Sequence, residues 1–151
     1  MIQTRPLFEL RLDVPEVMDL GDTPSGRRRV APVRGGTFAG ERLNGEVLEG
    51  GAGDWLLQRA DGVMLLDVRL LLRTDAGELV SMSYRGVRHG PPEVMARLAA
   101  GEPVDPASYY FRIVPVFETA APQLQWLNRI VAVGTGRREK AGPIYAIEEV
   151  L

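Results

Sequence analysis

The chain lacks cysteine altogether, which excludes disulfides, thiolate nucleophiles and cysteine-bound metal. Its one histidine, His89, excludes a histidine-rich metal site within a single chain. No run approaches the roughly 18 apolar residues of a membrane-spanning helix. The opening stretch MIQTRPLFELRLDV sets acids and arginines where a secretory signal needs an apolar core. A cytoplasmic protein is therefore expected. An excess of charge of one sign is missing too: the formal net charge is −2, giving no general attraction to nucleic acid or anionic lipid. The two basic clusters, GRRRV at 26–30 and GRREK at 136–140, begin on glycine and read as solvated loops.

What is present is an ordinary globular balance, 45% hydrophobic and 25% charged over 151 residues. That length is enough for one domain, 1–151, with a sizeable core. Seventeen glycines and eleven prolines are spread along the whole chain, cutting it into short apolar runs that predict an all-β protein. The expected strands are 6–14, 36–40, 43–49, 54–59, 63–73, 78–86, 109–118, 127–134 and 143–150. ADG at 60–62 and TDAG at 74–77 have the chemistry of hairpin turns, so three consecutive strands form a meander. GPPEVMARLAAGEP predicts one short helix, with proline in its first turn and a stop at Gly101.

The run MLLDVRLLLR at 64–73 poses the functional question. In a strand, residues of one parity share a face, so Asp67 and Arg69 lie with Leu65 and Leu71, opposite a uniformly apolar face. The mixed face either meets water or lines a barrel interior as a partly buried polar set. The same pattern recurs nearby: Arg85 lies with Ser81 and Ser83, and Tyr110, Arg112 and Glu118 share a face with two valines. Apolar walls with a few placed polar groups are what ligand pockets have, so the repeated mixed faces are taken to converge on a cavity.

The ordered segments GRRRVAPVRGGTFAGERLNGEVLEGGAGDW, ADGVMLLDVRLLLRTDAGELV, YRGVR and YYFRIVPVFETAAPQLQWLN resemble a bacterial and fungal family known as a β-barrel domain of unknown function. The likeness runs from about Gly26 to Leu151. It implies a compact barrel with a central cavity and no established common reaction. The matching positions include the glycines at 35, 36, 40, 45, 62 and 86, with Asp54, Trp55, Asp61, Asp67, Arg69, Tyr110, Phe117, Thr119, Trp126 and Asn128. Two departures stand out: the GGADW box carries an extra glycine here, and Leu70 replaces a frequent aromatic.

Each candidate has a plainer reading. The glycines of GGTFAGERLNG lack the Gly-Lys-Ser/Thr ending of a phosphate cradle and fit barrel corners better. Asp54 beside Trp55 is either a pocket carboxylate with a stacking wall or part of a tryptophan cap. His89 is either a solvated loop residue or catalytic. Trp126 and Asn128 share parity and either face the cavity or pack plainly. The carboxylates have no metal-ligand spacing, so no metal and no cofactor are expected.

The resulting expectation is a single antiparallel, closed or nearly closed β-barrel with a central cavity and a short helix in one connection. It would be a small-molecule pocket protein doing cofactor-independent acid/base chemistry, of isomerase, cyclase or lyase type, on an anionic or carbonyl-bearing substrate. Asp67 or Asp54 is the candidate base, Tyr110 the candidate acid and His89 a further candidate. Arg69, Arg85 and Arg112 would hold the anion, with Trp55, Phe117, Glu118, Trp126 and Asn128 completing the ligand site. The alternatives are a non-catalytic binding protein and an oligomeric structural barrel, with a homodimer as the default assembly.

Overall fold

The parity rule decides the architecture, because a closed sheet has only one inside. The computed structural model describes residues 1–151. Its strands are β1 (Thr4–Asp13), β2 (Met18–Thr23), β3 (Gly26–Pro32), β4 (Gly35–Ala39), β5 (Asn44–Gln58), β6 (Met64–Thr74), β7 (Leu79–His89), β8 (Tyr110–Glu118), β9 (Val131–Glu139) and β10 (Gly142–Val150). One α-helix, α1 (Pro92–Ala99), joins β7 to β8, and short 3-10 turns cover Pro106–Ser108 and Pro122–Arg129. The sheet order is β2-β3-β5-β4-β1-β10-β9-β8-β7-β6, and β5 also pairs with β6. That last pairing closes eight strands into an antiparallel barrel and leaves the β2–β3 hairpin as an extension on β5. Closure removes the exposed edges an open sheet would carry.

The hairpin turns form as their residues predict. Gly62 and Gly77 sit at φ +85° and +86°, a region that glycine enters without steric cost. Their amides close the turns on the carbonyls of Arg59 and Thr74. Helix α1 begins on proline and ends before Gly101, at φ +77°.

Four expectations change. GRRRV is a strand, β3, held by pairing with 53–58 of β5. GRREK lies largely within β9, which pairs with β10 as far as Glu139↔Gly142. Of the glycines that suggested loops, Gly136 is a strand residue of the inner wall, where a Cβ would stand 2.8 Å from the Phe111 ring; a Cβ at nearby Gly134 would stand 2.6 Å from Ile113. The strand expected at 127–134 starts only at Val131, because Leu124 and Leu127 are buried at helical spacing in the 3-10 turn before it. The runs 43–49 and 54–59 are a single strand, β5, interrupted by an irregularity.

The inner face is the apolar one. Leu66, Val68, Leu70 and Leu72 of β6, Val80, Met82 and Tyr84 of β7, and Phe111, Ile113 and Phe117 of β8 are all buried in one core. At the end of the barrel near Val47 and Val80, Phe8 packs on Phe38 and Phe117 at centroid distances of 5.3 and 6.0 Å. The mixed faces therefore point out: Asp67, Arg69, Arg85, Tyr110, Arg112 and Glu118 are exposed. Burying three whole apolar rows outweighs burying the charged ones, which would each have to shed hydration.

Stability measurements test this orientation. Arg69→Ala, on the outer wall, should change unfolding free energy by no more than about 0.5 kcal/mol in urea titration. Gly136→Ala should cost about 1–3 kcal/mol, because its methyl meets Phe111 inside a packed wall. A larger loss at Arg69 than at Gly136 would reverse the assignment of faces.

Candidate active site

The far end of the barrel is hollow. A cavity of about 830 Å³ is walled by Leu56, Leu66, Phe111 and Tyr145 and roofed by Arg29 of β3 and by Met95 and Leu98 of α1. Asp54 reaches it through the irregularity in β5. Between the pairs Leu48↔Leu71 and Gly53↔Arg69, β5 advances five residues while β6 moves two. The surplus is odd, so parity reverses: Val47 points inward before it, and Asp54 and Leu56 point inward after it.

The Asp54 Oδ1 accepts the backbone N–H of Asp67 at 3.2 Å. Burial among apolar walls raises the Asp54 carboxyl from its ordinary 3.8 to about 7. The Asp67 amide and the charges of Arg88 and Arg138 oppose that rise without cancelling it. A carboxyl poised near neutrality can both take and return a proton at physiological pH.

Arg29, Arg88 and Arg138 also line the cavity. Nine other arginines form ion pairs with carboxylates on the protein surface or at its rim. The three cavity guanidiniums have neither an ion-pair partner nor a hydrogen-bond acceptor. Arg88 lies 5.5 Å from the Phe111 ring centroid. Burial, then the like charge of Arg138, lowers its pKa, though a guanidinium stays charged. Tyr84 and Tyr145 meet edge to face at 5.3 Å, and burial raises both phenols, so they remain neutral donors. No three His, Asp or Glu side chains cluster as a metal site would require.

Of the residues expected from sequence, Asp54 and His89 line this cavity. His89 is exposed at its mouth, stacked on Tyr110 at 5.1 Å. Asp67, Arg69 and Trp55 instead border a shallow outer groove of about 250 Å³, with Trp55 54% exposed. Arg85 and Glu118 are exposed on the outer wall; Arg112, also outside, lies 4.8 Å from the Tyr110 ring. Phe117 points in but fills the packed end against Phe8. Trp126 lies under the Arg42 guanidinium at 4.6 Å. Asn128 accepts the Thr119 N–H and donates to the Thr119 carbonyl, a structural tie.

Sequence reasoning missed Arg29, Arg88, Arg138, Tyr84 and Tyr145. A signal existed for Arg88: it shares parity with Val80, Met82 and Tyr84, making it a lone charge on an apolar face. Arg29 and Arg138 were hidden in the clusters read as loops.

Residues 2–150 match the model of a family described as "Protein of unknown function (DUF3237)", and the chain belongs to that family. The UPF0311 protein RPA1785 of Rhodopseudomonas palustris is 35% identical over 150 residues, covering 99% of this chain and 97% of that protein. The crystal structure of RPA1785, a conserved protein of unknown function, superposes with a TM-score of 0.96 over 100% of this chain and 99% of that one, at 33% identity. A β-barrel-like protein (ABAYE2633) from Acinetobacter baumannii AYE gives 0.86 at 39% identity, covering 100% and 97%. A structure described as an enzyme from Penicillium herquei shares the fold at a TM-score of 0.74 and 17% identity, covering 99% and 95%.

The raised Asp54 carboxyl makes stability depend on pH in a stated direction. The folded state binds this proton more tightly than the unfolded state does. Stability should therefore fall as pH rises from about 4 to about 7, and level off above. Asn at this position removes the term. Relative to Asp54→Asn, the parent should lose about 2 kcal/mol across that window in urea unfolding, after allowance for partial solvent access. An unchanged difference between the two proteins from pH 4 to pH 8 would contradict it.

Proposed function

We propose that this DUF3237 protein is a cofactor-independent acid/base enzyme acting on a small anionic or carbonyl-bearing molecule bound in the barrel end. The observation that carries the reading is the pairing, in one cavity, of a carboxyl near neutrality with three guanidiniums that have no acceptor in the protein. Nine arginines outside the cavity are paired with carboxylates, whereas the cavity arginines are left for something the chain does not supply. An anionic group answers that need, because guanidinium donors match planar oxyanions and desolvation strengthens each contact.

Asp54 moves the proton, Arg88 and Arg138 hold the negative charge, and Arg29 closes over the ligand from the β2–β3 hairpin. The apolar walls contributed by Leu56, Leu66 and Phe111 suit an aromatic or alicyclic body. The Penicillium herquei neighbour, described as an enzyme, lends this reading only a shared fold. The cytoplasm is the setting that goes with it, and the outward arginines and the Asp67 side chain have no part in it.

A panel of small carboxylates and aromatic acids should raise the melting temperature, since a ligand that binds only the folded state stabilises it by mass action, by about 2.7 kcal/mol at a hundredfold excess over Kd. Arg138→Met deletes a cavity charge with little loss of volume and should abolish most of that shift; Arg69→Ala should leave it intact. Neutral analogues that stabilise the protein as well as the acids do would sink the proposal. Conversion of a bound acid, lost in Asp54→Asn while binding persists, separates an enzyme from a carrier.

A further inference from the structure

Two buried side-chain polar atoms in the chain have no hydrogen-bond partner, Arg88 Nε and Tyr145 Oη, and both residues line the cavity. Buried donors are otherwise satisfied almost without exception, since an unmade bond forfeits the hydration that was given up. The two are set around one aromatic ring. Arg88 faces Phe111 across β7 and β8, and Gly136 faces Tyr145 across β9 and β10. The Phe111 ring leans over Gly136, lies edge-on to Tyr145 at 5.3 Å and sits 5.5 Å from the Arg88 guanidinium. Only glycine at 136 leaves room for this. The neighbouring Tyr84 phenol comes close enough for each hydroxyl to shift the other's ionisation, but no hydrogen bond of ordinary geometry satisfies Tyr145 Oη.

We infer that Arg88 Nε–H and Tyr145 Oη–H form an oxyanion clamp for a single carbonyl oxygen, and that the substrates are enolisable carbonyl compounds. This rests on the acid/base reading of the same cavity. A carboxylate would engage an arginine through parallel donors of its fork. Here the two buried donors without a partner are one N–H and one O–H, on side chains that both pack against Phe111, a pair that suits one oxygen atom. Asp54 stands on the β5 wall, two strands from Tyr84 in register through Val68, and Tyr84 touches Tyr145. The base and the clamp thus approach a bound ligand from different walls.

In the step that follows, the Asp54 carboxylate removes the proton on the carbon next to the carbonyl. The C–H electron pair becomes the new C=C bond, and the carbonyl π pair moves onto oxygen, where the two donors hold it. Protonated Asp54 then returns its proton to the same carbon or to a conjugated one, giving an isomer with no net change in electrons. Preorganised donors aimed at the developing charge favour the enolate over the ketone.

Phenols test the clamp, because a phenolate copies the charge and planarity of an enolate. A nitrophenol is titrated into the protein below pH 7, where Asp54 holds its proton and the free phenol is mostly neutral. Bound phenol should ionise, seen as the visible absorption of the phenolate. Tyr145→Phe, which deletes only the hydroxyl, should abolish that absorption and weaken binding about tenfold or more, as should Arg88→Met. Melting curves establish folding, and if Arg88→Met does not fold, Tyr145→Phe decides alone. Phenol that binds un-ionised, or equally well to parent and Tyr145→Phe, overturns the clamp but leaves an anion pocket if carboxylates still stabilise the protein. Failure of phenols and carboxylates alike removes both readings.

Discussion

Everything in the hollow end depends on the parity reversal within β5. Before the irregularity, the strand turns Val47 into the packed half of the barrel; after it, the same strand presents Asp54 and Leu56 to the cavity. An even surplus would have left Trp55 inside and Asp54 in water. A bulge that re-aims a side chain next to a cavity is a known use of such irregularities. The same stretch also frees β5 to exchange β4 for β3 as its partner, since β4 pairs with 44–47 and β3 with 53–58. The β2–β3 hairpin, and with it Arg29, is thereby placed over the opening.

The barrel divides its interior between packing and space. In one half, Phe8, Phe38 and Phe117 fill the lumen, as side chains can in an eight-stranded barrel. In the other, Gly86, Gly134 and Gly136 provide no side chain on the inner wall, and Phe111 and Ile113 lean into the gaps they leave. The large residues there belong to neighbouring strands, so the wall is close-packed while its centre stays open. The stability of the closed half supports the strain of the open half, where a desolvated carboxyl and unsatisfied donors are kept.

Charge is sorted by the same geometry. On the outside, arginine meets carboxylate repeatedly, as in Arg73 with Glu46 or Arg59 with Asp61, pairs that individually contribute little in water. Inside, Arg88 and Arg138 share the cavity with Asp54, and burial drives that carboxyl to hold its proton rather than pair with either; the other two lining carboxylates, Asp19 and Asp61, are already paired with Arg27 and Arg59. The cavity is thus left short of negative charge. That deficit, rather than any single residue, defines the kind of molecule it suits.

The sequence alone determined the barrel, its hairpin turns at 60–62 and 74–77, its helix and its stop, because these follow from local chemistry: periodicity of two, glycine at positive φ, proline in a first turn. It also singled out Asp54 as a candidate base. Which face of each strand turned inward was decided only by closure. Asp67, Arg69 and Arg112 looked like a convergent polar set, yet the opposite faces held more apolar surface to bury, and the barrel took those. The clusters at 26–30 and 136–140 became strands because partners far along the chain, β5 and β10, supplied their hydrogen bonds. Arg29 and Arg138 gained their place that way, and Tyr145 met Arg88 around Phe111 only once four strands lay side by side. Local pattern sets what each strand is; which residues face one another across a lumen is a property of the closed sheet.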